Sequence, residues 1–553
     1  MIKLKTVILV VAMCLGTFMC LLDETIMNIV LPEIQNSLHT NLAGMTWAIN
    51  SYTILFAALT IPFGRLAERI GVHKAFMGGL VIFLIGSIIS AEAHNIDVLV
   101  VGRIIQSLGV AAVFPLSMII SISAVSLERR MVVIAALGMT QGLAGALGPS
   151  IGGVLANYLS WRWVFLINVP MVIVALILCF IALSLKEAVS REKIDIVGSL
   201  LSIVILFSLT LALVQGNDWD WNSLIIIGLF FVSLAGLLLF VWYERRIDFP
   251  MIPMQLFRNR QYNGAVLTIL FSTVFFVGVL VVLPTYFVRI ENMTDLAAAV
   301  LITPASAMIF IFSPIAAVTV EKLGGRLVSL VGFFAMGISY LLLWQINMTN
   351  HLQVSLTLAV IGFGYGIIVG SMQTLAAADF TGDLLAASQP TALVMRLIGF
   401  ALAASIFISA LNTNANLAKN KSLNYAKSQV MSLNLPKQEE KTLLYKVTSQ
   451  ISQEKNSSPS KFSISEAEKN ALIGEELNHL PAVLQESAKS EIEYKVNATV
   501  KETEQKVNST VVRIGTYTKN QFSNGFINIY KTATPFIFSL LLLAIIFKNS
   551  KRG

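Results

Sequence analysis

Repeated apolar runs of about twenty residues constrain the fold of this chain more than any other feature. A helix of about 20 residues crosses the hydrocarbon core of a bilayer, and only helices and closed barrels satisfy their backbone hydrogen bonds there. Runs of this length predict an all-α polytopic membrane protein. We predict fourteen spans, at about 7–30, 46–63, 75–92, 97–121, 132–157, 163–185, 196–214, 223–243, 263–288, 296–319, 327–345, 353–374, 385–411 and 533–547.

The composition supports this class and argues against others. Apolar residues make up 56% of the chain and charged residues 13%, against about 45–50% and 25% in soluble domains. The net charge of +8 does not indicate a nucleic-acid surface, because the basic residues lie at helix ends and not on one face. The cysteines (Cys14, Cys20 and Cys179) lie inside apolar runs, so no disulfide framework is predicted outside the membrane.

The distribution of lysine and arginine predicts the orientation. The tails and loops on the amino-terminal side hold about nineteen of these residues, whereas the short loops on the other side hold only Arg162 and Arg289. Cytoplasmic loops are enriched in basic residues. We therefore expect a multi-pass protein of the cell membrane with both termini in the cytoplasm. The apolar run after Met1 is too long for a signal peptide and is interpreted as an uncleaved first span.

Residues 412–531 depart from the apolar pattern, with sixteen Lys or Arg and twelve Glu. The topology places them outside the cell. Ser465 and Glu468 match a capping box that opens a helix. Apolar residues then recur at helical spacing: Val500, Val507, Val511 and Ile514. We predict an extracellular helical subdomain that continues spans 13 and 14 as a hairpin, and the alternative is a partly disordered loop.

The spans and this insertion predict five segments. They are a six-helix amino-terminal bundle at 1–190, two extra transmembrane helices at 191–250, spans 9 to 13 of a carboxyl-terminal bundle at 251–411, the insertion at 412–531, and the last span with a cytoplasmic tail at 532–553.

Asp23, in the first span, is the leading functional candidate. A carboxylate in the middle of a bilayer costs about 2.5–3.5 kcal/mol, so it rarely lies there without a partner or a role. Asn28 and Pro32 extend the polar, broken stretch outward from Asp23. Glu24 is either a second titrating group or a residue that faces the exit.

Arg103 is the matching candidate in the fourth span, and Gln106 lies one turn further in. The first and fourth spans run in opposite directions, so Asp23 and Arg103 both lie about two turns from the outer end of their helix. We expect either a direct pair with Asp23 or hydrogen bonds from Arg103 to helix carbonyls.

The loop between spans 2 and 3 reads Gly-Arg-Leu-Ala-Glu-Arg-Ile-Gly-Val-His-Lys over residues 64–74. Its glycines allow the chain to reverse, and Glu68 can pair with basic neighbours. The spacing resembles the signature loop of the major facilitator superfamily, which usually has Asp in place of Glu68 and Arg in place of Val72. A weaker copy at 321–326 is what two related halves predict. The resemblance implies a cytoplasmic gating loop made of Gly64, Arg65, Glu68, Arg69, Gly71 and Lys74.

Span 5 carries glycines at a spacing that lets a neighbouring helix approach closely. They are Gly138, Gly142, Gly145, Gly148, Gly152 and Gly153, and Pro149 adds a kink. The stretch 148–153 resembles the motif of facilitator-type exporters that exchange drug for proton. The string Trp-Arg-Trp-Val-Phe-Leu-Ile-Asn-Val-Pro at 161–170 resembles the same exporters.

Two central helices between two six-helix halves resemble the fourteen-span drug:proton antiporters. The resemblance implies proton coupling through Asp23 and Arg103, and Arg396 matches a position that such relatives keep basic. The candidates for the substrate cavity are Asn28, Gln106, Gln141, Gln373 and Arg396. Other polar or aromatic residues expected near it are Trp47, Asn50, Tyr52, Phe275, Tyr286 and Met372.

Three functions are compatible with these features. The first is a proton-coupled exporter of amphipathic drugs or toxic compounds, which works by alternating access and uses the proton gradient without a cofactor. The second is an exporter of a lipid-like or cell-envelope molecule whose extracellular subdomain touches an envelope partner. The third is a membrane scaffold or receptor. The sequence has no phosphate-loop motif of an ATPase. It also shows no metal-ligand cluster and no nucleophile with a base, so nothing in it suggests an enzyme. The expected partners are the lipid bilayer, protons and a small amphipathic substrate.

Overall fold

A computed structural model describes residues 4–40, 42–126, 129–184, 186–187, 195–452, 466–478 and 482–547. All regular secondary structure in these residues is helical, which confirms the all-α fold class. Ser465, of the predicted capping box, lies outside the described residues.

Nine helices form the first part of the described chain. They are α1 (Leu4–Ser37), α2 (Leu42–Ile70), α3 (Val72–Ala91), α4 (Ile96–Ser123), α5 (Arg130–Tyr158), the short α6 (Trp163–Leu166), α7 (Asn168–Ala182), α8 (Ile196–Gln215) and α9 (Leu224–Glu244).

Seven further helices form the second part. They are α10 (Arg260–Arg289), α11 (Asp295–Gln345), α12 (His351–Ala378), α13 (Gly382–Met431), α14 (Lys437–Ser452), α15 (Glu466–Asn478) and α16 (Ala482–Ser539). Two short 3-10 helices complete the fold, one at Leu256–Arg258 before α10 and one at Leu540–Ile545 after α16.

Polar side chains mark where several of these apolar helices begin. Asn95 Oδ1 accepts a hydrogen bond from the Val98 N–H at 2.9 Å at the start of α4, and Asp195 accepts the Gly198 N–H at 2.8 Å at the start of α8. Thr294 caps α11 in the same way. Each bond satisfies a backbone donor that the first helical turn leaves free.

Twelve helices within the described residues are long and apolar enough to cross a membrane. One of them, α11, contains two of the predicted spans, which meet at Gly324 in a left-handed conformation with φ 78°. In α5 the apolar stretch of the described part is the shorter Arg130–Gly145. The count of fourteen spans therefore stays a prediction.

The chain divides into two compact units. The first comprises Met1–Pro284, Thr294–Ser409 and Tyr530–Gly553, and the second comprises Thr285–Met293 and Ala410–Ile529. Within the first unit, α1 packs against α4, α5 and α7, and α4 also packs against α2 and α3. Asp23 and Arg103 consequently lie at the centre of one helix cluster.

The second unit has an apolar core of its own. This core consists of Ala426, Val430, Leu443, Val447, Ile451, Val507, Val511 and Ile514. Val500 is buried as well, so the structure buries all four residues of the predicted apolar face. The rings of Tyr425 and Tyr517 stack beside this core with centroids 4.0 Å apart. The prediction that helices form much of this insertion is therefore confirmed for its described part.

Candidate functional site

Asp23 is 1% exposed and accepts hydrogen bonds from three side chains on two helices, α4 and α7. The Arg103 Nη1 donates to Asp23 Oδ2 at 2.5 Å. The Gln106 Nε2 and the Asn168 Nδ2 donate to Asp23 Oδ1 at 3.1 and 3.0 Å. The structure thus brings together Asp23, Arg103 and Gln106, and it adds Asn168 from the start of α7.

Arg103 is equally buried and has partners besides the carboxylate. Its Nη1 also donates to Gln106 Oε1 at 3.1 Å, and its Nε donates to the Ala48 carbonyl at 3.3 Å. The guanidinium carbon lies 4.0 Å from the centroid of the Tyr52 ring, which adds a cation–π attraction. The structure therefore shows both expected arrangements at once, a direct pair with Asp23 and a bond to a helix carbonyl.

A second layer of hydroxyl groups positions the amide side chains around Asp23. The Gln106 Nε2 donates to Ser87 Oγ at 2.8 Å, and the Ser90 hydroxyl donates to Gln106 Oε1 at 3.4 Å. Gly102 makes this possible, because a Cβ atom there would lie 2.8 Å from the Ser90 backbone nitrogen. The close approach of α3 and α4 at this glycine brings the two serines within reach of α4.

Sequence reasoning missed Asn168 and Ser87 and placed Tyr52 at the substrate cavity. Asn168 is a fully buried amide that directly follows the apolar Phe-Leu-Ile of the motif at 161–170. A buried amide needs hydrogen-bond partners, and this was the signal that could have identified it. Ser87 has no comparable signal, because serine hydroxyls commonly bond to the carbonyl groups of their own helix.

Glu24 lies next to Asp23 but is only partly buried. It interacts electrostatically with Arg396 and Arg103, so it belongs to the charged surroundings of the site without entering the three-donor cluster. Asn28 lies on α1, but its side chain is outside the described part of the structure.

Gln141, Gln373 and Arg396, three of the predicted cavity residues, meet at a second site. The Arg396 Nη1 donates to Gln141 Oε1, and the Gln373 Nε2 lies 3.5 Å from the same oxygen. They line a cavity of about 30 Å³, whereas pockets for drug-sized molecules measure about 300–1,000 Å³. In this conformation the cavity is therefore too small for a drug-sized molecule. Gln106 belongs instead to the Asp23 cluster.

The glycines of α5 allow close packing on two sides. A Cβ atom at Gly142 would lie 2.7 Å from the Phe310 backbone nitrogen of α11, and one at Gly138 would lie 2.6 Å from Ser313 Oγ. Towards α1, a Cβ atom at Gly148 would lie 2.8 Å from Thr25 Cβ. Thr25 follows Asp23 and Glu24 directly in sequence, so α5 links this part of α1 to α11.

The other residues of this motif complete the groove with one exception. Gly152 faces Ile26 of α1, and Gly153 faces Leu296 of α11. Gly145 is predicted to lie in the same groove, but a Cβ atom there would meet no atom of the described residues within 4 Å. The prediction of close packing is therefore wrong for Gly145. The side chain of Pro149 is outside the described part of the structure.

The signature loop is mostly helical, and its turn is confined to Gly71 between α2 and α3, with φ 105°. Gly64 was expected to help reverse the chain, but it lies inside α2, where a Cβ atom would be 2.9 Å from Pro390 Cγ. Gly64 is therefore a packing residue. Arg69 and Lys74 are exposed.

Arg65 connects the signature loop to the segment before α10. Its Nη1 pairs with Glu68 at 2.8 Å. Its Nε and Nη2 donate to the Met251 and Pro250 carbonyls at 2.9 and 2.6 Å. The carboxylate of Glu244 accepts hydrogen bonds from the Met251 and Ile252 N–H groups of the same segment. These hydrogen bonds fix the connecting segment between α9 and α10.

The chain belongs to the Major Facilitator Superfamily, whose sequence profile matches residues 13–410. Relatives include the multidrug transporter protein MdtP of Bacillus subtilis, 28% identical over 77% of this chain and 79% of that protein. The multidrug resistance protein Stp of Mycobacterium tuberculosis is 32% identical over 66% of this chain and 68% of its own length. The probable multidrug resistance protein EmrY of Escherichia coli is 31% identical over 60% and 65%.

Two solved transporter structures share the fold. The proton:xylose symporter XylE matches with a TM-score of 0.53 at 14% identity, covering 74% of this chain and 89% of that one. A POT family transporter matches with a TM-score of 0.53 at 16% identity, over 72% and 89%. The family to which the chain belongs points to a membrane transporter rather than an enzyme.

Proposed function

We propose that this protein exports amphipathic drugs or other toxic compounds across the cell membrane in exchange for protons, by alternating access. The observation that carries the proposal is the fully buried Asp23–Arg103 pair. Several relatives are named as multidrug efflux transporters, which supports drugs as the transported class. The proton gradient is the energy source, no cofactor takes part, and both termini lie in the cytoplasm.

Protonation of Asp23 would change the balance of forces in the cluster. Burial favours the neutral form of a carboxyl group, whereas a guanidinium beside it favours the charged form. When a proton neutralises Asp23, Arg103 keeps Gln106 Oε1, the Ala48 carbonyl and the Tyr52 ring as partners. The cation is therefore accommodated in both protonation states, as a proton carrier requires.

The packing of α5 offers a route from the proton site to the interface between the two halves. The Thr25 hydroxyl lies 3.5 Å from the Ala144 carbonyl of α5, and Gly142 on the same helix contacts α11. A shift of α1 that follows protonation of Asp23 would move α5 and so change its contact with α11. This would couple proton binding to the opening and closing of the central cavity.

The proposal can be tested in proteoliposomes with an imposed pH gradient. Addition of a transported drug should collapse the gradient with the wild-type protein, and Asp23→Asn should reduce this response at least tenfold. Asp97→Asn is the matched control, because Asp97 is an exposed residue in the first turn of α4. An undiminished response in Asp23→Asn would contradict the role assigned to Asp23.

A further inference from the structure

Arg396 is a second buried arginine, with 8% of its side chain exposed. Arg103 is paired with a carboxylate, but Arg396 donates from Nη1 to the neutral amide oxygen of Gln141. Among the described residues, it has no ion-pair partner within 4.0 Å, and its buried Nε has no hydrogen-bond partner. The charge of Arg396 is thus only partly compensated by direct contacts.

Such an arrangement favours an anion as partner. A buried charge is destabilising unless it is paired and hydrogen-bonded. The planar guanidinium matches a carboxylate or sulfonate with two parallel hydrogen bonds, which a single amide oxygen cannot supply. An acidic group that enters the cavity can therefore replace Gln141 and form a stronger contact.

The wall of the cavity suits the rest of an amphipathic molecule. Arg396 is the only charged side chain that lines it in the described part of the chain. Gln373 supplies a second amide, whose buried Oε1 has no partner within the described residues. The apolar side of the wall includes Phe114, Met118, Leu137, Ile269 and Leu393.

Glu24 is the acidic residue that acts on Arg396 from outside this wall. It interacts electrostatically with Arg396 but does not line the cavity. It therefore offsets part of the charge of Arg396 from a distance and leaves the cavity side of the guanidinium to a ligand.

We propose that Arg396 binds the acidic group of the transported compound, so that the substrates include amphipathic organic anions such as aromatic sulfonates and carboxylates. The acidic group takes the place of the Gln141 oxygen on Nη1, and Gln141 and Gln373 turn their NH₂ groups towards it. The apolar body lies against the aliphatic and aromatic wall. This inference rests on the proposed export function and specifies its substrate class.

The charge of the substrate has an electrical consequence. Exchange of one outgoing monoanion for one incoming proton moves two positive charges inward. Each positive charge that moves inward releases free energy in proportion to a membrane potential that is negative inside. A potential that is negative inside should therefore accelerate the export of an anion, whereas one-for-one exchange of a monocation for a proton moves no net charge.

Two dyes with one ring system and opposite charge provide the test. Sulforhodamine B is anionic and rhodamine 6G is cationic, and export of each is measured in proteoliposomes with wild type, Arg396→Gln and Arg396→Lys. We expect Arg396→Gln to lower the ratio of sulforhodamine B export to rhodamine 6G export at least tenfold relative to wild type. Arg396→Lys, which keeps the charge, should retain part of the anion transport. Rhodamine 6G export by the same preparation shows that each variant is folded.

Three results would overturn the inference. They are unchanged sulforhodamine B export in Arg396→Gln, an equal loss of both dyes, and a wild-type protein that exports only neutral or cationic compounds from a mixed panel. In the last case drug export itself still stands. If the wild-type protein exports no compound of the panel, the proposed function is contradicted, and the inference fails with it.

Discussion

Asn168 and Gln106 share one oxygen of Asp23, while Arg103 binds the other. Both oxygens of the carboxylate are therefore occupied by donors that packing holds in place. Hydrogen bonds to charged groups contribute about 1.5–3 kcal/mol each, so this cluster is well suited to hold a charge in a buried position. Loss of one of these donors would leave part of the buried Asp23 charge without a partner, which is energetically costly.

Removal of the cation alone should be the most damaging single change in this cluster. Arg103→Leu leaves the Asp23 carboxylate buried without its counter-charge, and loss of one member of a buried pair costs about 3–5 kcal/mol. The double variant Asp23→Asn with Arg103→Leu removes both charges and leaves a neutral amide near Gln106 and Asn168. We expect the double variant to unfold at a higher temperature than Arg103→Leu alone. Thermal unfolding in detergent, followed by tryptophan fluorescence, measures both, and strictly additive losses would contradict the pairing.

At the scale of the helices, α5 is the element that joins the site to the second half of the fold. It contacts α1 beside Asp23 through Gly148 and contacts α11 through Gly138 and Gly142. Small residues at such interfaces allow helix backbones to approach closely in a membrane. An enlarged residue at these points must push the helices apart.

Gly142 and Gly145 provide a matched pair of positions on α5. A methyl group at Gly142 would lie 2.9 Å from Phe310 Cα, which is backbone and cannot move aside, whereas one at Gly145 would meet none of the described residues within 4 Å. Overpacking of this kind costs about 1–3 kcal/mol. We expect Gly142→Ala to reduce drug export severalfold or more, and Gly145→Ala to leave it near the wild-type level. Equal activity of the two variants would show that the approach of α5 to α11 does not matter for transport.

The whole chain contains two compact units with separate cores. The core of the second unit includes Val507, which is fully buried, and five residues further along the same helix Val512 is 61% exposed. A drug exporter needs the cavity and the proton site of the first unit, whereas a scaffold or receptor would act through the second. The two classes of function can therefore be separated by damage to the second unit alone.

Val507→Asp should unfold much of the second unit, because a charge placed in its apolar core costs roughly 3 kcal/mol or more. Val512→Asp makes the same change at an exposed position and serves as control. We expect hydrogen exchange of α14 to increase in Val507→Asp only, while drug export per folded molecule persists in both variants. If export disappears in Val507→Asp and not in Val512→Asp, an intact second unit is required for transport.

The all-α membrane class and the candidate residues Asp23 and Arg103 could be predicted from the amino-acid sequence. The physical reason is that apolar runs of membrane length are rare outside membrane proteins, and a charge inside such a run is energetically costly. Both features can be recognised in the sequence without knowing which residues they contact. The buried face of α16 was also predictable, because helical spacing of valines is a local property.

The pairing of these residues depends on how the helices pack in three dimensions. Ser87 and Asn168 reach Gln106 and Asp23 because α3 and α7 pack against α4 and α1, and Arg396 meets Gln141 across 255 positions of sequence. The surroundings of Gly64 and Gly145 could not be predicted either, because the spacing of glycines along a helix does not reveal which face another helix covers. Contacts between distant segments depend on packing and register, and no local pattern in the sequence encodes them.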